Sequence, residues 1–324
     1  MGANQDIEKV AMFISVTNAM NWQATSEGAR AIFQQECKSH ERWYDAVANE
    51  SDESLKDDFF DNDKEKKGME NHIRYKSYNI GIDVPQEMNR LENIFLMRHA
   101  HSAGNEDLAL YRHIPDHAIP LSGKGEKQAA EAGRQFAAFL AQSPSLIGKQ
   151  GMRLWYSPYL RTKQTRDGLL EGMGSATGIF TDRREHILLT EQNFGLFDGL
   201  SDEECDEKYP EESRKYKLCA EYKGRFYAKP PNGESRYDVC VRVHQFFGTI
   251  VRDAEKSRHP VPNVFIVLHG NTLRAFIMMW LHREVEWFEN ERNPANCAIR
   301  HVGRDPNGRF EDRGYIFKGF KEEK

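Results

Sequence analysis

The chain has 324 residues, 39% of them hydrophobic, and a net charge of −5. That length holds one large domain with an extension, or two domains, and the composition suffices for a real core. The mildly acidic balance offers no general attraction for nucleic acid or acidic membranes, so any affinity for phosphate has to come from local cations in a pocket.

The first nine residues lack the basic-then-apolar order of a secretory signal, and no apolar run approaches 18 residues. Cys37, Cys205, Cys219, Cys240 and Cys297 are scattered and odd in number. They suggest neither a disulfide framework nor a zinc site. A cytoplasmic protein with no membrane segment is expected. Residues 1–90 read as an N-terminal extension. Ala24 to Val47 has helix-friendly composition with Ile32, Phe33, Trp43 and Val47 on one face, and Ser51 to Lys67 is a dense charged linker. Tyr75 to Val84 reads as a strand. The extension is expected to pack as a cap or to receive a protein partner, and it shows no chemistry of its own.

Residues 91–324 then alternate strand and helix. Ile94 to Met97 is a short apolar run that ends in Arg98 and His99. A polar loop, Asn105 to Pro120, leads to a long helix at about Lys124 to Leu140, with Ser122 or Gly123 at its start. Met152 to Tyr156 is the second strand. Pro158 suits the first turn of the next helix, which carries Arg161 and is expected to end in the glycine-rich stretch Gly168 to Gly178. Ile187 to Leu189 reads as a short third strand ending near Glu191. Ser201 to Pro231 is a charged insertion, helical in part. Glu234 and Ser235 open a helix to about Arg258 with Val239, Val243, Phe246, Phe247 and Ile250 on its core face. Asn263 to Leu268 is a clean strand running into His269-Gly270-Asn271-Thr272, followed by a helical pattern from Leu273 to Leu281. Cys297 to Val302 and Arg313 to Phe317 read as edge strands. The alternation implies an α/β fold, a three-layer sandwich with a mostly parallel central sheet and helices on both faces, plus the mainly helical extension.

Two strands each deliver a histidine at the carboxyl end, where open α/β sheets build their sites. Side by side in one sheet, His99 and His269 meet over one pocket. With them come Asn105, Ser157-Pro158-Tyr159-Leu160-Arg161-Thr162-Lys163-Gln164-Thr165, Glu191 followed by Phe194-Gly195, and Gly233-Glu234-Ser235. In that order, from Leu91 to about Arg300, the set resembles the histidine phosphatase superfamily, the phosphoglycerate-mutase-like enzymes.

The resemblance implies that His99 is the nucleophile, taking the phosphoryl group from substrate and passing it to water. Arg98, Arg161 and His269 would clamp the phosphate, with Asn105 and the Gly270 N–H as secondary donors. Fixed cations there suit a transition state that spreads charge over the equatorial oxygens. Glu191 would be the general acid and base. Asp198, Glu203 and Glu204 compete for that role and read better as a solvated helix face. Gly233-Glu234-Ser235 reads as structural, with Ser235 capping the helix and Glu234 favouring its first turn. His101, His113 and His117 fit no standard zinc spacing, so no metal and no cofactor is expected. They line a polar mouth, where Arg112 is placed to reach an acidic substrate group.

Two positions depart from the family's pattern. Ala100 stands where glycine is usual, tolerable unless the backbone there needs φ > 0. His101 stands where many relatives carry Glu or Gln. The expected activity is hydrolysis of small phosphomonoesters. Mutase-type transfer and a non-catalytic phospho-ligand or partner-binding module are the alternatives.

Overall fold

The computed structural model describes residues 90–147, 150–256 and 261–321. All of them lie in one compact unit, Ile82–Lys324. The expectations for the N-terminal extension, including the helix, the charged linker and the strand at Tyr75 to Val84, fall outside the described residues.

Six strands form one sheet: β1 (Asn93–Arg98), β2 (Met152–Tyr156), β3 (Phe180–Glu185), β4 (Asn263–Leu268), β5 (Ile299–Arg304) and β6 (Phe310–Phe317). Their order is β3-β2-β4-β1-β5-β6. The β3-β2-β4-β1 portion is parallel, and β5 and β6 are added antiparallel. The helices are α1 (Ala103–Glu106), α2 (Gly123–Gln142), α3 (Leu160–Met173), α4 (Asp202–Lys208), α5 (Pro210–Lys223), α6 (Arg236–Lys256), α7 (Gly270–Trp280) and α8 (Val285–Asn290).

The central strands are apolar throughout because both their faces are covered. Alternate residues serve opposite layers. Ile94, Leu96, Val264, Ile266 and Leu268 pack with the α6 and α7 residues Val243, Phe246, Leu273 and Phe276. Phe95, Met97, Phe265 and Val267 pack with Phe136 of α2 and Leu169 of α3. This is the three-layer sandwich expected from the sequence.

Packing decides three details of the elements. Ile187–Leu189 is a single 3₁₀ turn, and the third strand is the preceding Phe180–Glu185. That strand, Phe-Thr-Asp-Arg-Arg-Glu, lies at the sheet's edge with only Phe180 buried. Charge on an edge strand blunts unwanted pairing and erases the apolar signal. Second, α3 runs through Gly168 and Gly172 and ends at Met173 with Gly174 as its C-cap, inside the glycine-rich stretch where its end was expected. A Cβ on Gly172 would stand 1.8 Å from the Ala130 carbonyl oxygen, and one on Gly133 would stand 2.1 Å from that of Leu169. The glycines are there to let α2 and α3 touch, and Pro158 lies before the α3 N-cap, Tyr159, rather than inside its first turn. Third, β5 is internal, paired with β1 on one side and β6 on the other.

Candidate functional site

Parallel pairing sets β1 and β4 in register, with Met97 opposite Val267 and Arg98 opposite Leu268. Each strand then releases its histidine at the same level. The His99 N–H donates to the Leu268 carbonyl at 2.9 Å. The imidazoles of His99 and His269 face each other with ring centroids 5.2 Å apart. Both are buried.

The His99 ring has its proton assigned by its neighbour. Nδ1 lies 2.7 Å from the Ala100 carbonyl, which can only accept, so Nδ1 carries hydrogen and Nε2 keeps its lone pair. Burial, then the charges of Arg161 and Arg98, hold the pKa well below the ordinary histidine value. The imidazole is therefore neutral at pH 7, the form a nucleophile needs. Ala100 in turn donates its N–H to Thr165 Oγ1 at 2.9 Å, and that hydroxyl donates to the Arg161 carbonyl at 2.6 Å. Gln164 Oε1 receives the Leu121 N–H at 2.7 Å. Gln164 and Thr165 thus bind the loop beyond β1 to α3. Among the described non-glycine residues only Asn232, His282 and Cys297 have positive φ, so the methyl of Ala100 meets no backbone penalty.

Arg161 is the second residue of α3 and is 2% exposed. Its Nη1 donates to the Asp116 carbonyl at 2.7 Å and to the Asp116 carboxylate at 2.6 Å. The guanidinium lies 4.9 Å from the centre of the Tyr159 ring, whose other contact is His269 at 5.0 Å. His269 Nε2 is 2.9 Å from Ser157 Oγ. Nδ1 of His269 and Nε of Arg161 are both buried without a hydrogen-bond partner among the described residues. An unmet buried donor costs about 1–3 kcal/mol, which an anion's oxygen would recover. His269 is not the fixed cation expected of a clamp: burial, then Arg161 and His99, push its pKa well below the ordinary value. It is neutral, with the charges of Arg161, Arg242 and Arg98 all acting against its protonation.

The other expected donors converge here. Arg98 donates Nη1 to the Pro294 carbonyl at 2.7 Å, and its charge is felt by both imidazoles. Asn105 accepts at Oδ1 from the Ser102 N–H and hydroxyl, at 3.0 and 3.1 Å. That leaves its Nδ2 hydrogens to act as donors. Asn296 ties it to the nucleophile loop, with Nδ2 donating to the His99 carbonyl at 3.2 Å. Gly270 is the first residue of α7, where the N–H groups of a helix remain open to an anion.

Glu191 sits over that same helix start. Its carboxylate accepts the N–H of Gln192 at 2.9 Å and of Asn271 at 3.3 Å. The loop that carries it is braced by Arg242, which donates to the carbonyls of Leu188 at 2.9 Å and Glu191 at 3.0 Å. Arg242 also pairs with Glu234 at 2.8 Å, and Glu234 receives the Asn193 N–H at 3.1 Å. Glu234 therefore holds the Glu191 loop rather than serving the first turn of α6. Ser235 does cap that helix, accepting the Asp238 N–H at 3.1 Å.

Residues 94–313 match the family described as the histidine phosphatase superfamily (branch 1). The chain belongs to that superfamily. Phosphoglycerate mutase-like protein AT74H of Arabidopsis thaliana is 36% identical over 226 residues, 68% of this chain and 76% of that protein. Broad-range acid phosphatase DET1 of Saccharomyces cerevisiae is 24% identical over 278 residues, 64% of this chain and 83% of that protein. A mycobacterial glucosyl-3-phosphoglycerate phosphatase shares the fold, with a TM-score of 0.51 at 21% identity over 70% of this chain and 99% of its own. The superfamily's relatives of this chain thus include both phosphatases and mutase-like proteins. Among the described residues no helix is long and apolar enough to cross a membrane.

Several residues gathered around His99 and His269 were not singled out from the sequence. Asp116, half-buried and ion-paired with Arg161, sat in a loop read only as polar. Tyr159 and Ser157 were visible as letters of the Ser-Pro motif without a role. Arg242 lay on a helix judged by its apolar face. Asp198 was read as part of a solvated helix face, but it follows the 3₁₀ turn Gly195–Phe197 and is half-buried. Burial, then the charge of Asp116, push its carboxyl up to about 6. Arg112 is not open to substrate: it donates to the Gly199 carbonyl at 2.9 Å and to Glu204 at 2.5 Å. His101 turns to Ser122 Oγ at 3.0 Å. Among the described residues no group of three His, Cys, Asp or Glu side chains is placed to hold a metal.

Proposed function

We propose that this chain is a phosphatase acting on small phosphomonoesters through a covalent phosphohistidine at His99. The observation that carries the reading is the His99 ring: Nδ1 is committed to the Ala100 carbonyl, so a neutral Nε2 lone pair stands beside Arg161 and His269. Nε2 attacks phosphorus, the N–P bond forms and the ester P–O bond breaks. Glu191 supplies the proton to the leaving oxygen. Water then attacks the phosphohistidine, Glu191 takes its proton, and inorganic phosphate leaves with the imidazole restored. Arg98, Arg161 and His269 hold the equatorial oxygens, with Asn105 Nδ2 and the Gly270 N–H as further donors. The arginines and helix termini supply the charge stabilisation that other phosphatases draw from metal ions, so activity is expected to survive excess chelator. The cytoplasm is the proposed compartment and a phosphorylated small molecule the partner.

The test is hydrolysis of an aryl phosphate, then of sugar, nucleotide and glycerate phosphates, by the intact chain and by His99→Ala. Turnover that vanishes in the variant, with acid-labile label trapped on the intact chain by rapid quench, supports the reading. Turnover persisting in His99→Ala sinks it. Bisphosphate-dependent interconversion of 2- and 3-phosphoglycerate at enzyme-like rates would replace it with the mutase reading. A folded protein inert on every ester would favour a binding module.

A further inference from the structure

Asn105 can serve a phosphate clamp only with the Nδ2 end of its amide toward the ligand, and an amide side chain can present either end. It stands on α1, a helix of a single turn. Three donors meet its other end. Oδ1 accepts the Ser102 N–H at 3.0 Å, the Ser102 hydroxyl at 3.1 Å and Asn296 Nδ2 at 3.4 Å. Two of these come from the residue that opens the same turn. The third comes from 191 positions away.

Asn296 is wholly buried, just ahead of β5. Chemistry fixes which way its amide lies. Nδ2 is 3.2 Å from the His99 carbonyl and 3.4 Å from Asn105 Oδ1, and both of those oxygens accept. Turned over, the amide would set its oxygen against two others. The backbone around it is held as firmly. The Asn296 carbonyl accepts the Phe320 N–H at 2.9 Å, and a Cβ on Gly319 would stand 2.4 Å from that same oxygen. Cys297, the next residue, has φ at 59° and donates its N–H to the Arg98 carbonyl at 3.1 Å. A residue with a Cβ keeps that left-handed conformation only where its surroundings enforce it.

The amide is costly where it stands. Asn296 Oδ1 is buried with no hydrogen-bond partner among the described residues. A leucine of similar size would leave no orphaned acceptor there, and the His99 carbonyl would keep the Cys297 N–H at 3.4 Å. What leucine could not supply is the third donor to Asn105 Oδ1.

We propose that Asn296 is a positioning residue for the phosphate clamp: its buried amide, locked by the His99 carbonyl, holds Asn105 by Oδ1 so that Nδ2 is left for the phosphoryl oxygens. The inference rests on the reading that Asn105 binds the phosphoryl group. Asn296 touches no reacting atom and acts through Asn105.

The experiment is a double-mutant cycle on the full chain. Hydrolysis of an aryl phosphate and its inhibition by inorganic phosphate are measured for wild type, Asn105→Ala, Asn296→Leu and the double variant, with urea unfolding alongside. Asn105→Ala should lose about tenfold in kcat/KM and in phosphate affinity. Asn296→Leu should lose about threefold to tenfold in both, while its unfolding midpoint stays level or rises. The double variant should be no worse than Asn105→Ala, because no amide is then left to orient. Asn296→Ala, which cannot overfill the site, carries the same cycle should leucine disturb folding. Losses that add in full overturn the proposal, since a merely structural role would weaken Asn105→Ala as much as it weakens wild type. Wild-type kinetics in the Asn296 variants, beside an impaired Asn105→Ala, would remove the inference alone and leave the clamp standing. Wild-type kinetics in Asn105→Ala would remove the phosphate reading of Asn105, and the inference with it.

Discussion

His99 and His269 are 170 positions apart in the chain, yet their ring centroids stand 5.2 Å apart. The cause is backbone pairing: β1 and β4 run parallel and in register to their last residues. What happens to either imidazole then depends on the single acceptor or donor next to it. Ser157 is that neighbour for His269, at 2.9 Å. Replacing Ser157 with Ala should lower kcat on an aryl phosphate by roughly tenfold, the equivalent of one lost hydrogen bond of about 1.4 kcal/mol, with little change in thermal unfolding. Unchanged kcat would mean that Ser157 does not set the orientation of His269.

Arg242 joins Glu234 to the loop that presents Glu191. Its side chain is 14% exposed and that of Glu234 26%, so the pair is partly shielded from screening. Arg242→Met keeps the stem and strands Glu234 together with two carbonyls. We expect a loss of about 2–4 kcal/mol in urea unfolding. A further fall in kcat, measured where the variant remains fully folded, is expected because Glu191 loses its brace. A variant with wild-type kcat would show that the loop is held well enough without it.

Gly172 lies inside a helix, where alanine would ordinarily add up to about 1 kcal/mol of stability. Here the methyl would stand 1.8 Å from the Ala130 carbonyl oxygen, which is backbone and cannot swing away. Forced separation of packed elements costs about 1–3 kcal/mol, so overpacking wins over propensity. Gly172→Ala should lower the melting temperature. A rise would mean that α2 and α3 separate without penalty.

Histidines buried in neutral form make stability depend on pH. Burial holds His301 at about 4, and lowers His99 and His269. His301 is stacked on Phe95 at 4.5 Å and faces Asn93 Oδ1 at 2.9 Å. In the unfolded chain each titrates near 6.5, so below that pH the unfolded state binds more protons than the folded one. Stability is therefore present above about pH 6.5 and lost as pH falls toward 4, by up to about 1.4 kcal/mol per pH unit for each such group. Denaturant midpoints measured from pH 7.5 to 4.5 should fall, and more shallowly in His301→Gln. A flat profile would contradict neutral burial.

Much of this molecule is written locally. The apolar runs of β1 and β4 name themselves because strands covered on both faces have no polar alternation. The long α2, with Ser122 accepting the Gly125 N–H at 3.2 Å, is legible from its cap and its apolar spacing. Arg98, His99 and His269 stood out at strand ends, and Arg161 and Glu191 through the motif set that resembles the superfamily. The charged strand β3 was hidden, because an edge strand owes its state to its neighbour's hydrogen bonds and not to its own pattern. The glycine-rich stretch does end α3, at Met173, but that Gly168 and Gly172 also form a helix contact only the second helix can reveal.

Side-chain charge and protonation were decided by the tertiary structure. Nothing in the sequence says that His269 is neutral, that Asp116 grips Arg161, or that Asp198 is half-buried. Burial and the summed field of groups brought together from distant parts of the chain set those properties, and both depend on three-dimensional distance. The residues able to do chemistry were determined by the sequence. The proton each one carries, and the partner that aims it, were determined by the fold.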